Sequence, residues 1–270
     1  MNESPNRSSV SDSPPGPKGA GVRDILWALL LTMAWPAAAA VSLSLSVAVG
    51  VREVTGQGLL LVACGTMAAY GLDRLIDSRG RDKKSLRRAL AICVLLAATG
   101  TAVLACTAWW RFKVCAVLGV MAGAYVPLKR HVPKNVLTAV AWATAVATLP
   151  FAGPPQWNPG YCATVLAVAF IIGANTTLCD IPDVRADRLA GVLGITPWFG
   201  RRAGAVAAGA FGCLGALIAG STGRWELAVT ALGLAILAVL FTRNPARSLY
   251  RLLADGIVTA LPGPFTLLFR

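Results

Sequence analysis

Five of the twelve acidic residues in this chain fall in two short stretches, Leu72-Asp73-Arg74-Leu75-Ile76-Asp77 and Asp180-Ile181-Pro182-Asp183-Val184-Arg185-Ala186-Asp187. Asp73 and Asp77 are four apart, and Asp180, Asp183 and Asp187 follow an i, i+3, i+7 pattern. Either spacing sets carboxylates on one face of a helix. Like charges that close repel, so the arrangement costs stability unless a cation lies between them. Hard carboxylate oxygens suit Mg²⁺, which commonly takes one or two carboxylates together with phosphate oxygens. A solvated helix end is the competing account of either stretch alone. Two matching clusters, each where a long apolar run stops, favour a cation site, because acids near lipid are expensive.

The elements that must position these acids are membrane spans. Of 270 residues, 56% are hydrophobic and only 14% charged, with repeated apolar runs near the ~20 residues that cross a bilayer. This composition predicts an all-α, polytopic membrane protein and excludes a soluble enzyme with an added anchor. Nine spans can be drawn, at about 25–50, 56–72, 88–107, 113–128, 135–152, 160–179, 203–220, 226–241 and 248–268. Residues 1–22 are rich in Ser, Pro, Gly and Asn and are expected to form a disordered tail. The first apolar run is too long and too late for a signal peptide and reads as a retained span.

The net charge of +13 could suggest nucleic acid, but its distribution argues for membrane topology instead. Under the nine-span scheme twenty of the twenty-five Lys and Arg residues lie on the face that holds the N-terminus. Only Arg52, Arg111, Lys113, Arg224 and Arg270 lie on the other. Such a split predicts a cytoplasmic N-terminus in a cell membrane. Both aspartate stretches then fall on the cytoplasmic side, at the ends of spans two and six. The seven cysteines are scattered and mostly within apolar runs, so neither a disulfide framework nor a zinc site is expected. The single histidine, His131, excludes a multi-histidine metal centre.

On the same face lies Tyr125-Val126-Pro127-Leu128-Lys129-Arg130-His131-Val132-Pro133-Lys134-Asn135, a basic turn between spans four and five. Topology alone accounts for cations there. Beside metal-binding acids, Lys129 and Arg130 also become partners for phosphate oxygens. Acids for Mg²⁺ and cations for diphosphate together suggest a substrate with a diphosphate head and a lipid tail, the tail enclosed by the spans.

These residues resemble the UbiA superfamily of intramembrane prenyltransferases, which includes the 4-hydroxybenzoate polyprenyltransferases. Its first motif ends DxxxD, as Asp73 and Asp77 do, and its second has the form DxxDxxxD, as Asp180, Asp183 and Asp187 do. Asn175-Thr176-Thr177-Leu178-Cys179 before the second motif and Asp187-Arg188-Leu189-Ala190-Gly191 closing it look like the family's bacterial branches, and Tyr125 through Arg130 like its basic turn. The resemblance runs from span one to span nine (residues 23–270). It implies nine helices around a central cavity with Mg²⁺ and prenyl diphosphate at the mouth. Asp73, Asp77, Asp180, Asp183 and Asp187 would then hold the metal, with Asp73, Asp77, Asp183 and Asp187 carrying the catalysis. Lys129, Arg130 and Arg74 would bind diphosphate, and Tyr70, Tyr125, Trp142 and Asn175 would line the cavity. Ordinary helix packing accounts for the three aromatics equally well.

The departures are specific. Where the family carries Asn four residues before the first aspartate, this chain has Ala69. After the second motif it reads Gly191-Val192-Leu193-Gly194-Ile195-Thr196-Pro197, without the family's basic residue. Span one, from Ala28 to Val49, has no basic or amide residue of the kind that places a polar aromatic acceptor. The expected activity is therefore Mg²⁺-dependent ionisation of a prenyl diphosphate followed by transfer to an acceptor, expected to be aromatic but not simply 4-hydroxybenzoate. The alternative is a membrane terpene cyclase, in which the chain's own double bond captures the cation. The expected partners are the prenyl diphosphate, the lipid bilayer and a small-molecule acceptor, with no nucleic acid. A transporter is disfavoured, since the acids sit at span ends and no pair of broken half-spans is evident. Asp255, within span nine, is read as an interfacial or helix-packing residue.

Overall fold

The long apolar runs fold into helices because a backbone in lipid must satisfy its own hydrogen bonds. The computed structural model describes residues 26, 29–48, 53–77, 84–241 and 247–264. The tail expected to be disordered, 1–22, lies outside them. In chain order the helices are α1 (Trp35–Ala48), entered through a π-helical turn at Leu30–Ala34, α2 (Gly56–Asp77), α3 (Lys84–Ala105) and α4 (Trp109–Leu128). Then come α5 (Lys134–Thr148), α6 (Pro159–Asp180), the short α7 (Val184–Leu189) and α8 (Ile195–Phe199), α9 (Arg201–Ser221), α10 (Trp225–Phe241) and α11 (Arg247–Ala260). No strand forms among the described residues. Four helical stretches are long and apolar enough to cross a membrane: Gly56–Ile76, Lys84–Ala105, Pro159–Leu189 and Arg201–Ser221. The chain is an all-α, multi-pass membrane protein.

The packing order is a closed ring. Each long helix lies against the next in sequence, from α1 to α6 and on through α9, α10 and α11, and α11 returns to α1. Beyond its ring neighbours α6 also touches α10, α11 and α1, and its apolar window is the most buried of the four. Small residues permit the closest approach. A Cβ on Gly212 of α9 would stand 2.7 Å from the backbone oxygen of Ala231 on α10, and one on Gly58 would strike the backbone of Pro150.

The two ends of the ring differ in chemistry. At one end the segments before α2 and after α5 pair through Thr55 N–H to Pro150 O and Ala152 N–H to Glu53 O. Arg111, almost fully buried, donates to Thr55 Oγ1 and the Phe151 carbonyl there. The Tyr161 hydroxyl closes the same end on the Ala147 carbonyl. The opposite end is where the aspartate stretches and the basic turn meet.

Candidate functional site

Each charged stretch reaches the site on a helix end. α2 runs unbroken through Asp73 to its last residue, Asp77, as the four-residue spacing predicts; of Asp77 only the backbone is described. The second stretch differs from a single regular helix. α6 ends at Asp180, Ile181–Asp183 form a 3₁₀ turn, and α7 resumes at Val184. Pro182, which has no N–H to continue the α-helical ladder, explains the change. The path stays helical, so Asp183 and Asp187 both remain within electrostatic range of Asp180.

The residue that organises this corner is Lys134, at the first position of α5. Its Nζ lies 2.7 Å from Asp180 Oδ1 and 2.9 Å from Asp187 Oδ2. Burial on its own would lower the pKa of this ammonium, but the two carboxylates outweigh that and hold it well above the ordinary lysine range. Next to it, buried Asn135 donates from Nδ2 to Thr177 Oγ1 (2.8 Å) and to Asp180 Oδ2 (3.3 Å). Sequence reasoning placed Lys134 in the basic turn but assigned it no partner, and it missed Asn135 and Thr177. A signal was present. Lysine at a helix N-terminus and aspartate at a helix C-terminus both oppose the macrodipole, so each needs an opposite charge nearby.

The backbone fixes the turn. Leu193 N–H donates to the Lys129 carbonyl (2.7 Å), and Lys134 N–H donates to the Leu193 carbonyl (3.0 Å). The stretch after the second motif, which lacks the family's basic residue, thus clamps the basic turn from both sides. It is itself held by Arg188, whose Nε donates to the Pro197 carbonyl at 2.8 Å. Arg130 is exposed at the tip, and Lys129 Nζ lies 5.5 Å from the centre of the Tyr125 ring.

Tyr125 is near both motifs. It lies within electrostatic range of Asp73 from α2 and of Asp180, Asp187 and Lys134 from the other side. Arg74 Nε is buried and without a hydrogen-bond partner, as is Asn135 Oδ1. Ala69, in the place of the family's Asn, is exposed and adds no polar atom. Deeper in the bundle Tyr70 meets Trp142 edge to face, with ring centres 5.7 Å apart. Asn175 donates from Nδ2 to Asp255 Oδ1 at 3.0 Å. The structure therefore gathers Asp73, Asp180, Asp187 and Tyr125 at one end, and sets Tyr70, Trp142 and Asn175 toward the interior.

The donor set matches Mg²⁺ in type, since every acid offers hard oxygens. Its arrangement is less simple: an ammonium already bridges Asp180 and Asp187. Among the described residues no three His, Cys, Asp or Glu side chains gather as a metal site. A metal that arrives with a diphosphate needs only one or two carboxylates from the protein, and Asp73, Asp77 and Asp183 are of the right kind.

No family model matches the chain, and none of the curated proteins does. Among solved structures it is similar to the apo structure of a UbiA homolog from Aeropyrum pernix K1, with a TM-score of 0.61 and 16% sequence identity. The match covers 88% of this chain and 96% of that one. A likeness at that identity concerns architecture, and it extends over nearly the whole molecule: this chain has the fold of a UbiA homolog.

Proposed function

We propose that this protein is an intramembrane prenyltransferase that ionises a prenyl diphosphate at the end of the bundle carrying Asp73, Asp180 and Asp187 and passes the prenyl group to an acceptor. The observation that carries this reading is the convergence on Tyr125 of acids from both motifs, beside a turn bearing Lys129 and Arg130. The excess of Lys and Arg on the same side supports a cytoplasmic position for that end.

Each group has a task in this reading. Lys129, Arg130 and Arg74, whose Nε has no protein partner, hold diphosphate oxygens. Asp73, Asp77 and Asp183 hold Mg²⁺, which when bound stabilises the negative charge of the leaving diphosphate. Lys134 offsets one of the two negative charges of Asp180 and Asp187, so that pair repels the incoming anion less. The faces of Tyr70, Tyr125 and Trp142 shield and stabilise the allylic cation.

The experiment is incubation of purified protein in lipid nanodiscs with labelled C10, C15 and C20 prenyl diphosphates, in Mg²⁺ and in EDTA, following diphosphate release and organic products. Mg²⁺-dependent release that rises when an acceptor is added supports the transferase. A cyclic hydrocarbon without any acceptor replaces it by the terpene cyclase, and no release under any condition refutes both.

A further inference from the structure

The stretch that clamps the basic turn also carries a surface that neither aspartate motif uses. Trp198 and Phe199 end α8 with 65% and 74% of their surface exposed. Four exposed arginines flank them, Arg185 and Arg188 before, Arg201 and Arg202 after. Arg185 and Arg188 are one turn apart on α7 and so share a face. α7 packs against α8, joined by Arg188 Nε to the Pro197 carbonyl at 2.8 Å. On the other side Gly200, with φ +87°, turns the chain directly into α9, so Arg201 and Arg202 follow Phe199 at once.

These charges are not compensated within the chain. From residue 185 to 202 the one acid is Asp187, and its Oδ2 is held by Lys134 at 2.9 Å. Among the described residues no carboxylate forms an ion pair with any of the four guanidinium groups. Helix geometry does not account for Arg201 and Arg202 either. The first turn of α9 holds no acid, and it is the positive end of the macrodipole, which disfavours cations. Depth is the second observation. α9 is long and apolar enough to cross a membrane, and its 21 residues rise about 30 Å, the thickness of the hydrocarbon core. Exposed Trp225 stands just past its far end. Trp198 and Phe199, just before its near end, therefore lie where headgroups meet acyl chains, the level at which aromatic belts form.

We propose that Trp198, Phe199, Arg201 and Arg202, with Arg185 and Arg188 beside them, form a docking surface for an anionic phospholipid of the leaflet at the charged end. The two rings seat among the acyl chains, and the guanidinium groups take phosphate oxygens, which their forked donors fit. A zwitterionic headgroup carries its own cation, so unpaired arginines favour a headgroup with net negative charge. The bound lipid has a consequence inside the protein. It touches α7 on one side of the clamping stretch and α9 on the other, and so pins the segment between them. That segment holds the basic turn through Leu193 N–H to the Lys129 carbonyl and Lys134 N–H to the Leu193 carbonyl. Anionic lipid thus orders the backbone that carries Lys129, Arg130 and Lys134.

The test is lipid selectivity of the full-length protein in neutral micelles holding equal amounts of phosphatidylglycerol and phosphatidylcholine with the same acyl chains. Native mass spectrometry identifies the lipid retained. Wild type prefers phosphatidylglycerol by about tenfold or more, and Arg201→Gln with Arg202→Gln cuts this to about twofold or less, each arginine near an anionic surface counting about fivefold. Trp198→Ser weakens retention of both lipids and leaves the preference. Arg87→Gln with Arg88→Gln removes the same charge from exposed positions on α3 at the same end and leaves the preference unchanged. Hydrogen exchange in nanodiscs reads the second part: replacing some phosphatidylcholine by phosphatidylglycerol slows exchange of the Leu193 and Lys134 amides in wild type but not in the Arg201/Arg202 variant. No preference in wild type overturns the proposal. An equal loss in the Arg87/Arg88 variant also overturns it and returns the arginines to a topological role. Displacement of phosphatidylglycerol by glycerol phosphate overturns it in favour of a soluble phosphate ligand, and unchanged amide exchange overturns the ordering of the turn. Arg185→Gln serves where the double variant does not fold.

Discussion

Removing the Lys134 ammonium leaves two carboxylates facing each other with no cation between them. Asp180 Oδ1 and Asp187 Oδ2 lie 2.7 and 2.9 Å from the same nitrogen, so they are at most 5.6 Å apart. At an effective dielectric of about 20, two unit charges at that separation repel by about 3 kcal/mol. The Asp180 side chain is only 8% exposed, against 18% for Asp187 and 19% for Lys134, so solvent screens little of this. Losing one partner of a buried ion pair costs about 3–5 kcal/mol. Lys134→Met is therefore expected to destabilise the protein by an amount in that range.

A destabilised lysine variant alone does not identify the cause, because the aliphatic stem also packs. The diagnostic is a change of sign. In the wild type, Asp187→Asn removes one charge-assisted contact and destabilises by about 1.5–3 kcal/mol. In Lys134→Met, the same substitution removes the repulsion and stabilises by about 3 kcal/mol. The assay is reversible unfolding in mixed micelles, followed by tryptophan fluorescence, for the four proteins of the cycle. Asp187→Asn destabilising both backgrounds equally would refute the reasoning and return Lys134 to a topological role.

Lys134 also predicts a pH dependence. A group whose pKa is raised by folding contributes stability that is fully present below its unfolded value, about 10.4 for lysine, and is lost as pH rises past it. The melting-temperature difference between wild type and Lys134→Met should thus be flat from pH 7 to about 10 and shrink above that. At the proposed metal site, Asp73→Ala and Asp183→Ala should each nearly abolish Mg²⁺-dependent product formation. Their double variant should be little worse, as for residues acting as a unit, and thermal melting serves as the folding control. Arg130→Ala, at an exposed position, should lower kcat/KM for prenyl diphosphate by about tenfold to a hundredfold with an unchanged melting temperature. Cysteine-accessibility mapping should place Lys134 on the cytoplasmic side and Gln156 and Ser221 outside.

The fold was legible because lipid leaves a chain few options. Apolar runs of span length mark helices, and the described helices fall where the runs do. The acids were legible because they repeat at helical spacing where spans end. What single segments did not reveal is pairing across the ring. Nothing within Val132-Pro133-Lys134-Asn135 states that its lysine meets two aspartates from beyond α6, since that contact depends on α5 packing beside α6. Asp255 shows the same limit. By sequence it reads as an interfacial or helix-packing residue, and it does join α11 to α6, but its partners Asn175 and Cys179 are some eighty residues away in sequence. The 3₁₀ turn within the second motif was available from Pro182, which the i, i+3, i+7 pattern obscured.

Both polar clusters share one helix, and its geometry explains how they stay separate. Around an α-helix, Asn175 and Cys179 fall on one face, while Thr177 and Asp180 fall on another. The first face meets Asp255 on α11; the second meets Asn135 and Lys134 on α5. α6 can serve both because it touches α5 and α11 with different faces. The five residues from Asn175 to Asp180 also set a depth, about 7.5 Å along the axis. A one-residue insertion between them would keep each cluster's residue types but rotate one face by about 100°, breaking its contacts. Spacing along α6, rather than the acids alone, therefore ties the charged end to the Asn175–Asp255 contact beneath it.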